Sequence, residues 1–396
     1  MKKIVCISAF LPTINNFNWP SSLPYIILKN RPKDYELYLY NFGINIENSI
    51  SRHFMKDLKN LNYTVNKKLT YKYSFVHSIK ALLKLDIPVS HRLKLNREIT
   101  NEINNLNADY IYVYPHYLFP CVKNLKWKII ITWPDCASLR FERALWFSKI
   151  LKTKNIIKNI YLYLSSLKLE KSIASSNSII HLVWKDDLKR YNEINALTNN
   201  KSFYINHPHN NYINTHKWLI WKNVFNILIT SWVNKEYENS HLDISLKHLC
   251  DSGLNNKYQF TFIWNWYEYY IKMLTNNWFI ANHILYTDDY ENEINKCDIH
   301  LVYTDVWVWT KWKVLQSIAN GLLCIWNQFS FENIQWENNK DFIKLNSPSE
   351  INNTLTDILN NSEKYEKIRK NWKKSILTHH NPEITSKEFW SKIKNI

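Results

Sequence analysis

The chain has 396 residues, 45% of them hydrophobic, and sets 51 lysines and arginines against 34 aspartates and glutamates, a formal charge of +17. That length and apolar content support a large core divided over two domains. The charge points to an anionic partner, whether nucleotide, phospholipid head group or nucleic acid, or else to the Lys- and Asn-rich composition of an AT-rich gene. Six cysteines (Cys6, Cys121, Cys136, Cys250, Cys297, Cys324) stand apart with no C-x-x-C pair. They exclude a disulfide framework and a zinc cluster, and read as buried thiols in a reducing compartment.

In chain order, Met1–Leu11 opens with two lysines and a short apolar run that Pro12 ends. With no small-residue cleavage site after it, the run reads as a first buried parallel strand, and the cytoplasm is the expected location. Glu36–Phe42 alternates as a second strand, and helix-like stretches follow near Phe54–Asn60 and Val76–Leu85. Asp109–Tyr114 and Lys128–Thr132 are further strands, the latter running into Trp133, Pro134 and Asp135. Asp135 therefore lies at the carboxyl end of a strand, either as a turn or N-cap aspartate or as an acid facing a cleft. Arg140–Lys171 carries eight basic and two acidic residues interleaved with aromatic and aliphatic ones. Such a segment presents a solvated basic face or lies on an anionic membrane surface. No run approaches the roughly 20 apolar residues of a membrane span.

Ser178–Val183 and Phe203–Pro208 are the next strands. His207 and His209 have no carboxylate or cysteine at ligand spacing and read as linker rather than metal site. A second domain opens with the strand Asn223–Thr230, the helix Ser240–Asp251 and the strand Tyr258–Ile263, then Trp264, Asn265 and Trp266 before a helix at Tyr267–Leu274. Ile284–Tyr286 is expected as a strand and Glu291–Lys296 as a short helix. Asp288 and Asp289 do not make a D-x-D, and none occurs elsewhere.

The stretch Asp298–Trp326 organises this half. A strand at Ile299–Tyr303 gives way to Thr304, Asp305, Lys311 and Lys313. An apolar helical spacing follows at Val314, Leu315 and Ile318, then the stop Asn320-Gly321 and a strand at Leu322–Ile325. In an open α/β sheet the loop between a strand's carboxyl end and a helix holds phosphate on backbone N–H groups and the helix N-terminus. Lys311 and Lys313 suit that place, or are solvated residues at a helix start. Asp341–Leu345 is a strand, Ser347–Ile351 starts a helix with a capping serine and Glu350, and Tyr365–Leu377 and Glu383–Ile393 are basic helices. The alternation throughout is that of a doubly wound α/β protein.

The segment TDVWVWTKWKVLQSIANGLLCIW resembles the donor-site segment of GT-B glycosyltransferases of the group 1, family 4 type. There a Gly-Thr-Lys-like loop leads into a KVLE-A-M-A-x-G helix and a strand. The resemblance is closer with Trp307, Trp309, Trp312 and Trp326 read as glycines. The chain has 3 glycines and 18 tryptophans, where average usage gives about 28 glycines. Two accounts compete: an indole-rich surface, or a gene in which UGA encodes glycine and was translated as tryptophan. On the second account Trp19, Trp184, Trp232, Trp264, Trp266, Trp307, Trp309, Trp312, Trp326 and Trp336 are glycines in the cell. Their rings should then find no buried core, while Trp133 and Trp390 are true indoles.

The resemblance implies two Rossmann-like doubly wound domains facing a central cleft. An acceptor domain would span 1–210, a nucleotide-sugar domain 215–380 and a helix crossing back 381–396. It implies sugar transfer from a nucleotide diphosphate donor to a hydroxyl of a glycan or lipid-linked acceptor, of cell-surface polysaccharide type, with no metal and no cofactor. Asp135 would be catalytic, and Thr310, Lys311, Lys313, Gln316 and Asn265 would bind donor. Gln316 stands where the family usually has a ribose-binding glutamate, and Val308 where many members have a second one. The implied partners are the nucleotide sugar, the acceptor and peripheral contact with an anionic membrane at its inner face, with no nucleic acid. A GT-B sugar-nucleotide epimerase and a basic, aromatic-rich nucleic-acid binder are the alternatives.

Overall fold

The computed structural model describes the chain except residues 14–21, 44–56, 71–74, 152–155, 196–200, 210–218, 221, 231–240, 265–266, 288, 304–311, 327–333 and 335–342; for 147–151, 312 and 326 it describes the backbone alone. Two compact units emerge. The first takes in Met1–Pro208 and Pro382–Ile396, the second His209–Trp307 and Lys311–Asn381.

The first unit is built on a parallel sheet of β1 (Lys2–Ser8), β2 (Tyr35–Asn41), β3 (Val65–Lys68), β4 (Tyr110–Tyr114), β5 (Lys128–Trp133), β6 (Ile179–Leu182) and β7 (Lys201–Tyr204). Their order is β3-β2-β1-β4-β5-β6-β7. The central strands are near-continuous apolar runs because helices cover both faces of a parallel sheet. Val5, Ile7, Tyr40, Ile111, Val113, Ile131 and Leu182 accordingly share one buried cluster, in a register that sets Val5 beside both Tyr38 and Ile111.

The second unit repeats the plan with β8 (Phe225–Ile229), β9 (Tyr258–Ile263), β10 (Ile280–Ile284), β11 (Ile299–Val302), β12 (Leu323–Trp326) and β13 (Ile343–Lys344), all parallel, in the order β10-β9-β8-β11-β12-β13. In each sheet the strand order reverses once, between β1 and β4 and between β8 and β11. At such a switch point the loops leaving the two strands diverge and open a crevice at the carboxyl ends.

The helix Pro382–Asn395 belongs to the first unit. Trp390 Nε1 donates to the Ile27 carbonyl at 3.0 Å and Asn30 Nδ2 to Ser386 Oγ at 3.4 Å. The Phe389 ring meets those of His181 and Tyr112 edge-on at 4.9 and 6.0 Å.

Four sequence expectations need correction. The third strand of the second unit is Ile280–Ile284, not Ile284–Tyr286, because an edge strand alternates exposed and half-buried residues and shows no apolar run. Val65–Lys68, reading VNKK, is an edge strand without apolar signal and was not expected at all. Cys121 and Cys250 are half-buried rather than buried. Ser347 accepts from the Ser349 amide, whereas Glu350 reaches back to the Asn346 amide at 2.9 Å, so the pair does not form a reciprocal capping box. Among the described residues no helix is long and apolar enough to cross a membrane.

Candidate active site

In the second unit the switch point gathers Thr230 just after β8, His300 on β11, Trp264 just after β9, and the start of the helix Trp312–Ala319. Lys313 at that helix start is half-buried; its Nζ donates to the Thr230 carbonyl and lies 3.7 Å above the centre of the Trp264 ring. Burial pulls this ammonium down to about 7, because a low-dielectric surrounding disfavours the charged form. The indole face offsets part of that cost. A cation half-titrated at neutral pH would recover its charge beside a diphosphate.

Around it the scaffold is closed. His300 is fully buried between Thr230 Oγ1 at 2.9 Å and Ser317 Oγ at 2.7 Å, and burial, then the Lys313 charge, press it to about 3. It is a neutral imidazole that ties two strands to the helix. Gln316, one turn after Lys313, is buried; its Nε2 donates to Glu291 Oε1 at 3.4 Å, while its Oε1 has no hydrogen-bond partner among the described residues. An acid thus stands next to Gln316, although neither family glutamate occupies its usual place in the chain.

Trp264 has a backbone unlike that of an ordinary tryptophan. Its φ is +89°, beyond the left-handed pocket near +60° that L-residues visit. Its amide donates to the Ile284 carbonyl at 2.9 Å, its carbonyl accepts from His283 Nε2 at 2.8 Å, and its ring stacks on Tyr290 at 5.2 Å. The ring occupies the space beneath Lys313 where glycine would leave room for a ligand.

Asp135 belongs to the first unit. It follows β5, is 9% exposed, and burial raises it to about 6 against the opposing pull of Arg140. Two further buried acids accompany it. Burial lifts Glu170 to about 7 even though its Oε1 accepts the Ser138 amide at 2.9 Å. Asp187 lies well above the usual carboxylate range, through burial and then the charge of Asp135. The Cys136 amide favours its ionised form, yet among the described residues no group meets either oxygen at hydrogen-bond geometry. A carboxyl raised to near neutrality can take or give a proton at physiological pH.

The structure therefore brings Lys313 and Gln316 together on one helix and puts Asp135 in the other unit. Thr310, Lys311 and Asn265 lie outside the described residues, as do Trp19, Trp232, Trp266, Trp307, Trp309 and Trp336. Glu170, Asp187, Glu291 and His300 were missed. Glu170 read as one of two acids in a basic segment and Asp187 carried no signal of its own, and only the fold makes them neighbours. Trp184 corrects an expectation: its ring is fully buried, stacked 6.1 Å from His207, on an extended backbone at φ −141° that any residue adopts. Trp133 and Trp390 are buried, and Trp133 stacks on His116 at 4.5 Å. Among the described residues no three His, Cys, Asp or Glu side chains are arranged to hold a metal ion.

No family model matches the sequence, and no curated protein matches it at a significant level. Solved structures match over the whole length. HepE of Anabaena, in complex with UDP-glucose, is similar with a TM-score of 0.62 at 10% identity, covering 100% of both chains. The chain has the GT-B fold. A glycosyltransferase from Rickettsia africae gives 0.61 at 13% identity, over 100% of this chain and 99% of that one. WaaG, a glycosyltransferase involved in lipopolysaccharide biosynthesis, gives 0.60 at 10%, over 98% and 99%. Within a GT-B fold, the β8/β11 switch point of the second unit is where a nucleotide ligand is sought first.

Proposed function

We propose that this chain is a glycosyltransferase that moves a sugar from a nucleotide diphosphate donor to a hydroxyl of a glycan or lipid-linked acceptor. The observation that carries the reading is Lys313, a half-buried lysine whose ammonium is held between the Thr230 carbonyl and the Trp264 ring at a parallel-sheet switch point beside a helix start. The fold likeness to HepE, whose complex holds UDP-glucose, makes a uridine nucleotide the first donor to try. WaaG's part in lipopolysaccharide biosynthesis favours a cell-surface polysaccharide role.

In this mechanism Lys313, with Lys311 and the N–H groups at the start of its helix, stabilises the departing diphosphate as its charge develops. Those cations supply the charge compensation without an obligatory metal or cofactor. Gln316 hydrogen-bonds the ribose with its unpartnered Oε1, aided by Glu291. Thr310 and Asn265 add polar contacts to the donor, and Asp135 takes the acceptor proton. Bound donor covers Lys313, so an indole at 264 competes with it. An epimerase would use the same fold and the same raised carboxyls, but would return an altered nucleotide sugar with no acceptor consumed.

The protein would work at the inner face of an anionic membrane through Arg140–Lys171. Of the two acids of that segment, Glu142 stays exposed but is paired with Arg190 at 2.7 Å, and Glu170 is buried.

Calorimetry with UDP tests the donor site. Lys313→Met, which keeps the stem but loses the charge, is expected to weaken UDP binding about tenfold to a hundredfold, with the melting temperature reporting any loss of fold. Trp264→Gly should strengthen binding. Unchanged UDP affinity in Lys313→Met would remove this lysine from the site.

A further inference from the structure

The helix Phe75–Leu83 is amphipathic the wrong way round for a soluble domain. Phe75 and Leu83 are 76% and 80% exposed, and Val76, Ile79 and Leu82 are exposed beside them. At 3.6 residues per turn these five fall within an arc of about 120°. The opposite side carries only Ala81 into the core, with half-buried His77 and Ser78. Isolated surface apolar residues need no explanation, but a contiguous stripe of five does.

A second stripe adjoins it. On the helix Ile156–Ala174, Ile157, Ile160 and Leu164 are exposed, and the same side continues into Lys168 and Lys171. Lys168 Nζ donates to the Lys84 carbonyl at 2.6 Å and pairs with Asp86 at 2.8 Å, while Tyr161 Oη donates to the Asp86 carbonyl at 2.5 Å. The end of the first helix is thereby fastened to the middle of the second, with Leu164 between the two fastenings. Beside this junction a hollow of about 470 Å³ is lined by residues that include Lys94, Lys123, Lys168 and His91. Its one acid, Asp86, is occupied by Lys168 and by His91 at 2.8 Å. Lys94 and Lys123 are exposed and have no acidic partner among the described residues.

We propose that Phe75–Leu83 and the Ile157–Leu164 stripe form the surface by which this chain docks on an anionic lipid bilayer, with lipid phosphates received by the Lys94–Lys123 hollow. Charge complementarity singles out this occupant. Lys80, Lys84, Lys158 and Lys171 border the apolar stripes as snorkelling cations border an interfacial helix. A second copy of the chain on the same face would bring like charges together across a two-fold contact. The inference deepens the membrane contact proposed above: it shares the Ile157–Leu164 stripe, Lys158 and Lys171 with that segment and adds Phe75–Leu83, Lys94 and Lys123, which lie outside it.

Sedimentation with vesicles of equal phosphatidylglycerol and phosphatidylcholine, against pure phosphatidylcholine, tests it. The wild-type chain should sediment with the acidic vesicles and be released by salt. Phe75→Ser/Leu83→Ser, both at exposed positions, should lower the partition about tenfold or more at constant salt. Lys94→Ala/Lys123→Ala should lower it on acidic vesicles and flatten its salt dependence. Wild-type partition in the Phe75→Ser/Leu83→Ser variant would overturn this two-helix surface and leave Arg140–Lys171 as a contact without Phe75–Leu83. A wild-type dimer that the same variant dissociates would overturn it in favour of a second copy. Failure of the wild-type chain to bind acidic vesicles would remove both membrane contacts, while UDP affinity, measured in parallel, reports on the sugar-transfer reading alone.

Discussion

Trp278 closes the helix Glu268–Asn276 at φ +67°, with its ring 83% exposed. Its amide donates to the Thr275 carbonyl at 3.1 Å and the next amide, Phe279, to Leu274 at 3.1 Å. Gly321 does the same after the helix Trp312–Ala319: it sits at φ +80°, its amide meets Ile318 at 2.9 Å, and Leu322 meets Ser317 at 2.9 Å. This pair of reversed bonds is the helix ending that favours glycine. Leu85 shows that a side chain can be carried there, at φ +51°, but with a penalty of about 1 kcal/mol. The exposed indole of Trp278 has little packing to offset it. Trp278→Gly is therefore expected to raise stability by about 1 kcal/mol, read as an upward shift in melting temperature; a fall would show that the ring packs after all. Peptide mass spectrometry on protein from its native cells should find glycine at 264 and 278 and tryptophan at 133 and 390. Trp278 escaped the sequence reading because the helix was ended at Leu274 and the next strand begun too late, so the residue lay in an unassigned stretch. Trp184 was misread for the opposite reason: following a strand, it looked like a turn, and only the packing around His207 reveals a core residue.

The closure of the helix Trp312–Ala319 carries more than a turn. A Cβ built on Gly321 would come within 2.8 Å of Arg369 Nη1. That arginine lies buried, pairs with Glu366 and donates to the Gly321 carbonyl at 3.2 Å. Glu366 in turn accepts the Leu219 amide at 3.2 Å. One ion pair thus joins the helix Ser362–His379 to the end of the helix Trp312–Ala319 and to the opening of the unit. Gly321→Ala combines a disfavoured φ with a clash against a buried charge, so urea denaturation should show a loss of about 2 kcal/mol or more. A loss below half that would mean the guanidinium can step aside. At this scale the sequence was most readable where strands were central: β1, β4, β8 and β11 each stood out as apolar runs. Edge strands β3 and β10 were missed or displaced because one flank faces solvent and the apolar signal thins. Lys313 was legible as a candidate from its place between strand and helix, while Lys311 lies outside the described residues. The acids were not legible, since Glu170 and Asp187 become neighbours of Asp135 only when β5, β6 and their helices pack.

Across the whole molecule, buried ionisable groups pull stability in opposite directions. Burial holds His116, His181 and His300 at about 3 and His207 at about 4. The unfolded chain therefore binds more protons there, and stability rises with pH up to the free imidazole range near 6.5. Asp135, Glu170 and Asp187 are raised, so the folded chain binds more protons above pH 4, and stability falls as pH climbs through their folded values. The two sets largely offset between about pH 5 and 6.5. Removing one term should expose the slope. Glu170→Gln keeps the acceptor for the Ser138 amide, and its stability relative to wild type should improve by roughly 2 kcal/mol between pH 5 and pH 7. Parallel pH dependence in the two proteins would mean that Glu170 is not raised in the folded chain.

The helix Pro382–Asn395 has a consequence for the order of events during synthesis. Phe389, Trp390 and Ile393 are buried in the first unit, yet the ribosome reaches them only after the entire second unit. At about 5–20 residues per second, the first unit waits roughly ten to forty seconds with its Ile27 carbonyl and the ring faces of Tyr112 and His181 uncovered. The unit begun first is the one finished last, and for that interval a nascent chain offers chaperones an apolar slot shaped for its own tail.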